Sequence, residues 1–160
     1  MLQRIQTIFL SLVIIAMIVS VLTPQWQKFD PESSEVLQLT AVKLSHYKDL
    51  QTLEVISEKW TFYIALTALM AAGVALYSII SYKNRITQIK LGALNSLLMG
   101  ASLILSVYFS FQAEKMIEPG MKGAYLTGFY AIFSGLIFNL LANRFIRRDE
   151  KLVRSVDRIR

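Results

Sequence analysis

The side chains that carry most protein chemistry are scarce in this chain. It has no cysteine, which excludes disulfides, thiolate metal ligands and cysteine nucleophiles. The single histidine, His46, excludes a metal site built from several histidines. Ser96, Ser102 and Ser106 lie deep inside an apolar segment that holds no histidine or lysine at that depth to activate them. We therefore expect each hydroxyl to bond to its own helix, with no catalytic, cofactor-binding or metal site.

The elements that hold these serines are long apolar segments. Hydrophobic residues make up 54% of the chain and are gathered into blocks. A helix needs about 20 mostly apolar residues to cross a bilayer, whereas a spanning strand needs about 9–11 with alternating faces. The predicted spans cover residues 5–22, 60–81, 89–111 and 123–143, and their interiors lack ionisable side chains. The sequence predicts an all-α membrane protein, a four-transmembrane-helix bundle over residues 1–145.

The first span is similar in length to a signal peptide. Residues 20–24, Ser-Val-Leu-Thr-Pro at its end, form a poor cleavage site because they lack the small-x-small pattern. We therefore predict that this segment is retained as a membrane anchor.

Basic residues are distributed unevenly along the chain. Arg4, residues 83–90 and residues 144–160 together hold eleven, whereas the other two loops hold six basic and eight acidic residues. By the positive-inside rule, both termini face the cytoplasm, and the loops at 23–59 and 112–122 face outward.

The first outer loop, residues 23–59, is rich in strand-forming residues. Residues 35–47 partly alternate between apolar and polar, which favours a short β-hairpin. Residues 26–31 are predicted to form an interfacial turn, and residues 50–60 to lead helically into the second span. His46 is expected at the surface.

Small residues at helical spacing indicate where membrane helices approach one another. The fourth span carries Ala124, Gly128, Ala131, Gly135, Asn139 and Ala142, and the third carries Gly92, Ser96 and Gly100. These stripes pack against each other inside one bundle, or one of them docks a helix of another protein. Asn139 is expected to form interhelical hydrogen bonds together with Asn95 and Asn143.

The tail, residues 146–160, is predicted to form a basic amphipathic helix in the cytoplasm. With the middle loop, it defines a basic face of Lys83, Arg85, Lys90, Arg144, Arg147, Arg148, Lys151, Arg154 and Arg158. This face lies on anionic lipid, docks on a partner protein or touches ribosomal RNA. The acids Asp149, Glu150 and Asp157 weigh against strong nucleic-acid binding, and we expect no DNA partner.

Three stretches, residues 1–7, 82–95 and 147–160, resemble an uncharacterised (domain-of-unknown-function) family of bacterial four-helix inner-membrane proteins. Val156 departs from the small residue expected there. The resemblance implies four spans and a location in the bacterial inner (cytoplasmic) membrane, and it brings no known activity.

The spans also lack the charged residues and proline breaks that transporters commonly use. We therefore predict a non-catalytic accessory or structural subunit of a larger inner-membrane complex, with protein translocation or insertion machinery as one candidate. Its expected surroundings are the lipid bilayer and other membrane proteins. The alternatives are a small protein that binds or transports lipid or another hydrophobic ligand, and a homo-oligomeric membrane scaffold.

Overall fold

A computed structural model of the protein describes residues 2–31, 34–49, 54–82, 84–117 and 122–157. Within these ranges the chain is mostly helical and also contains a five-stranded sheet. In chain order the elements are α1 (Leu2–Leu22), β1 (Trp26–Phe29), β2 (Val36–Leu39), β3 (Lys43–Tyr47), β4 (Val55–Trp60), α2 (Tyr63–Ile80), α3 (Arg85–Glu114), β5 (Ala124–Tyr125) and α4 (Thr127–Asp157).

The four helices are long and apolar enough to cross a membrane, which confirms that part of the prediction. At 1.5 Å per residue, the 21 residues of α1 extend about 31 Å. The 30 residues of α3 and 31 of α4 exceed what a hydrocarbon core of about 30 Å requires. Part of each of these two helices therefore lies beyond its apolar segment.

The helices form a closed bundle. Helix α1 contacts α2 and α4, and α3 contacts the same two helices. In the middle of the bundle, Ala68, Ala71 and Ala75 of α2 are fully buried in one cluster with Met17 and Met99. Their small side chains let the helix backbones approach closely, which is the main source of helix association in lipid.

An antiparallel sheet covers one end of the bundle, here called the sheet end. Its strand order is β4-β3-β2-β1-β5. The first four strands form a meander within the connection between α1 and α2. The fifth comes from the connection between α3 and α4 and pairs with β1, Trp26 opposite Tyr125. The sheet thus joins two loops that are about a hundred residues apart.

The predicted hairpin was therefore too small, and two neighbouring predictions were wrong. Residues 26–29 form strand β1 instead of a turn, and residues 55–60 form strand β4 instead of a helical lead. Helix α2 consequently begins at Tyr63, and α4 begins at Thr127 because Ala124 belongs to β5. Short strands take their stability from cross-strand partners, which local sequence patterns do not reveal.

The sheet packs on the bundle through its apolar face. Trp26, Leu37 and Leu39 are buried in one cluster with Ile64 and Phe109 of the helices. This apolar interface holds the sheet against the ends of α2 and α3.

At its outer edge the sheet is exposed and charged. All six residues of β4 are exposed. Lys43 Nζ of β3 donates a hydrogen bond to Glu58 Oε1 of β4 at 2.5 Å. That hydrogen bond raises the pKa of Lys43 above its usual value. His46, expected at the surface, is half-buried, with its Nε2 atom 2.9 Å from Glu35 Oε2.

Candidate functional site

At the end of the bundle opposite the sheet, here called the basic end, α4 carries a basic extension, residues 144–157. Helix α4 continues without interruption from the apolar segment to Asp157, so the predicted tail helix is the same helix as the fourth span. Its last half contains no proline or glycine, and it is rich in arginine and lysine, which favour helix. Four exposed cations follow at spacings of three and four residues and share a face: Arg144, Arg147, Arg148 and Lys151.

This extension is fixed to the bundle by contacts with two other helices. Arg85, at the start of α3, forms an ion pair with Asp149. Gln6 of α1 donates a hydrogen bond to the same carboxylate at 3.4 Å. Phe9 stacks on Phe145 with ring centroids 5.5 Å apart. Since three helices meet at Asp149, the extension is held in one direction at least as far as this residue.

Just inside the basic end, α3 and α4 are joined by buried amides. Asn139 Nδ2 donates to the carbonyl oxygen of Gly92 and to Ser96 Oγ, both at 2.9 Å, and Asn95 Nδ2 donates to Asn139 Oδ1 at 3.4 Å. The side chain of Asn143 fills the space where a Cβ atom of Gly92 would lie. Absence of a side chain at Gly92 therefore permits this close approach of the two helices.

A groove opens between α3 and α4 beside these amides and has a volume of about 800 Å³. Its lining combines apolar and small polar residues with the four cations: Ala93, Ser96, Leu97, Leu140, Asn143, Arg144, Arg147, Arg148 and Lys151. No acidic side chain is among these lining residues. The groove can therefore bind an anion at one end and an apolar group at the other.

The structure places most of the predicted small-residue stripe inside the bundle. Gly128, Gly135, Asn139 and Ala142 are buried, and Ala131 is half-buried. Gly135 faces Met17 of α1, while Gly128 donates its N–H to the carbonyl oxygen of Pro24 at 2.9 Å. On α3 the predicted stripe divides, because Gly92 and Ser96 meet α4 whereas Gly100 faces open space.

The predicted basic face is also divided by the structure. Arg85 is engaged with Asp149, and Lys90 is exposed on α3 outside the groove. Lys83 and Arg158 lie outside the described residues, and Arg154 lies within α4 but its side chain is not among those described.

The candidate serines are engaged in structural hydrogen bonds. Ser96 Oγ and Ser106 Oγ donate to carbonyl oxygens one turn earlier, of Gly92 at 3.1 Å and Ser102 at 2.8 Å, as predicted. Ser102 Oγ instead donates to the carbonyl oxygen of Ile64 in α2 at 3.4 Å, because its side chain faces that helix. Among the side chains that the structure describes, no group of three His, Asp or Glu residues is placed to hold a metal ion.

Sequence reasoning missed two buried polar residues at the sheet end. Gln25 is fully buried; its Nε2 donates to Ser20 Oγ at 3.3 Å, and its Oε1 lies 2.5 Å from Ser106 Oγ. Lys28 is buried beneath the sheet. Both lie in a polar loop, where side chains are usually exposed. The only available signal was that Lys28 lies two residues after Trp26, which places both on the same face of a strand.

Together, the four helices and the sheet over one end of them define a mostly helical protein, and the length and composition of the helices are compatible with a multi-pass membrane protein. The chain belongs to the family described as "Domain of unknown function (DUF4293)", which matches residues 2–159. This confirms the resemblance to an uncharacterised family. A comparison with curated proteins finds no match.

Proposed function

We propose that this protein is a non-catalytic accessory subunit of a larger complex in a bacterial inner membrane, with both termini in the cytoplasm. The sheet end then faces outward and the basic end faces the cytoplasm. This orientation is supported by the charges, since Arg85, Lys90 and the cations of α4 all lie at one end.

The observation that carries the proposal is the anchored extension of α4. A helix that projects beyond its apolar segment frays unless tertiary contacts hold it. Here Asp149 is bound by Arg85 and Gln6 from two other helices. Groups on a fixed helix lose less conformational entropy when they bind than groups on a mobile segment do. The extension is therefore suited to dock a partner. Exposed Leu152 beside the cations provides an apolar contact on that surface.

Protein translocation or insertion machinery is the assembly that we favour. Such complexes work beside the ribosome, whose surface is negatively charged, so a fixed basic helix in the cytoplasm suits that setting. The small soluble mass of this chain is consistent with a supporting role in a complex whose other subunits carry the chemistry.

A mild-detergent affinity purification from native membranes tests the proposal. The tagged wild-type chain is expected to bring down a stoichiometric complex, whose subunits are identified by mass spectrometry. Asp149→Ala should weaken that complex because it releases the extension, whereas Lys43→Gln, an exposed cation at the sheet end, should leave it intact. Recovery of the chain alone, or only as a homo-oligomer, in several mild detergents would contradict the subunit role.

The two alternatives differ in what supports them. A homo-oligomer built on the small-residue stripe of α4 is disfavoured because these residues are already covered within the chain: residues 23–25 cover Gly128, α1 covers Gly135 and α3 covers Asn139. A lipid-binding role is favoured by the groove between α3 and α4.

A further inference from the structure

The groove between α3 and α4 has the size of a binding site for a small molecule. Its volume of about 800 Å³ falls within the range of about 300–1,000 Å³ that ligand sites occupy. Leu97 and Leu140 form its apolar part and are largely exposed, at 72% and 55%. The groove therefore leaves room for a ligand that covers apolar surface.

The charges on its α4 wall favour an anionic ligand. Arg144 precedes Arg148, and Arg147 precedes Lys151, by four residues, a spacing at which like charges destabilise a helix. No carboxylate is among the described residues that line the groove. Of the nearby acids, Asp149 is bound to Arg85 of α3. A bound anionic group would remove this repulsion.

The apolar and the cationic lining residues follow one another along the axis of α4. Leu140 precedes Arg147 by seven residues, which places it roughly 10 Å away along the axis of α4, nearer the middle of the bundle. Free phosphate would contact only the cations and leave the leucines uncovered. A ligand with a charged head and an alkyl chain would contact both parts of the groove.

We infer that this groove binds an anionic phospholipid from the cytoplasmic leaflet. Its phosphate contacts Arg144, Arg147, Arg148 and Lys151, and one acyl chain lies along Leu97 and Leu140. Arginine binds phosphate through two parallel N–H donors, which adds geometric selectivity to the charge attraction. The site rests on the proposed membrane orientation and does not require a protein partner.

Native mass spectrometry of the purified protein, with added phosphatidylglycerol or phosphatidylcholine, tests this inference. Wild type should bind phosphatidylglycerol about tenfold more tightly than phosphatidylcholine, because only the former carries net negative charge. Replacement of all four cations by glutamine should remove this preference, whereas Lys90→Gln, on α3 outside the groove, should retain it. Equal binding of the two lipids by wild type, or an unchanged preference in the quadruple variant, would overturn the inference.

A second variant blocks the groove without any change of charge. Ala93 is exposed on the α3 wall, so Ala93→Trp should fill the groove, keep the fold and weaken phosphatidylglycerol binding about tenfold. Ile104→Trp, at an exposed position of α3 away from the groove, is the matched control and should bind as wild type does. Unchanged binding in Ala93→Trp would overturn the inference even where the quadruple variant fails to fold.

Competition distinguishes lipid from free phosphate. Millimolar inorganic phosphate should leave phosphatidylglycerol bound, because it contacts none of the apolar wall; complete displacement would overturn the assignment to lipid. These measurements use the isolated protein, so they remain informative if the affinity purification finds no partner. Conversely, a complex that forms while lipid preference is absent would refute only the lipid site.

Discussion

Lys28 of β1 donates a hydrogen bond to the carbonyl oxygen of Glu114, the last residue of α3, at 3.2 Å. The same ammonium donates to the carbonyl oxygen of Ile117 at 3.2 Å and lies 3.3 Å from the Glu114 carboxylate. The C-terminus of a helix carries unpaired carbonyl groups and a partial negative charge, both of which a cation stabilises. A lysine that is only 3% exposed thus fastens the sheet to the end of α3.

Replacement of this lysine should therefore destabilise the protein. Lys28→Met removes the donor from two carbonyl oxygens and a carboxylate, which should lower the free energy of unfolding by about 2–3 kcal/mol. Chemical denaturation in detergent micelles measures the change. Lys43→Met is the control, since the pair with Glu58 is exposed and contributes little. An equal loss in both variants would contradict a special role for the buried lysine.

Two glycines that look alike in the sequence should respond differently to substitution. A Cβ atom on Gly128 would lie 2.6 Å from the backbone oxygen of Thr23, whereas one on Gly100 would meet nothing within 4 Å. Gly128→Ala should lower the free energy of unfolding by about 1–3 kcal/mol, because backbone must move. Gly100→Ala should be neutral or stabilise by up to about 1 kcal/mol through helix propensity. Thermal unfolding of both variants checks this, and a stable Gly128→Ala would count against the close approach of residues 23–25 to the start of α4.

The extension of α4 should loosen when its ion pair is removed. Asp149→Ala eliminates the acceptor for Arg85 and Gln6, so we expect faster amide hydrogen exchange and earlier proteolysis over residues 144–157. Exchange in the sheet should not change, which provides an internal control. The exchanged pair, Arg85→Asp with Asp149→Arg, should restore part of the protection. Wild-type protection in Asp149→Ala would mean that the aromatic contact of Phe9 and Phe145 suffices.

The absence of cysteine makes the orientation directly measurable. Ser57 on β4 and Lys90 on α3 are exposed at opposite ends of the bundle, so a single cysteine at either position should react readily. In intact cells stripped of their outer membrane, a membrane-impermeant maleimide should label Ser57→Cys. Lys90→Cys should be labelled only after the inner membrane is opened. The reverse pattern would refute the proposed orientation, and the wild-type chain serves as the unlabelled control.

The helical part of this fold could be predicted from the sequence because hydropathy acts locally. Each span is a contiguous apolar segment, and the cost of burying an ionisable group in lipid explains why residues 5–22 carry none. The charges of residues 144–151 likewise indicated a basic helix before its position was known. Periodicity grouped Gly128, Gly135 and Asn139 on one stripe, which the structure buries inside the bundle, but periodicity alone left the partner of that stripe open.

The sheet and the groove depended on contacts between distant residues. Strand β5 has two residues and pairs with a strand about a hundred residues earlier in the chain, Trp26 opposite Tyr125, so no local pattern could reveal it. Burial of Lys28 requires a helix end at Glu114, which the loop sequence does not contain. The groove likewise lies between α3 and α4, two helices that are distant in sequence, and Asn143 is among its lining residues. Hydropathy sums over neighbouring residues, whereas strand pairing, ion pairs and cavities follow from how the helices are positioned in space. The sheet and the groove were therefore decided only by the tertiary structure.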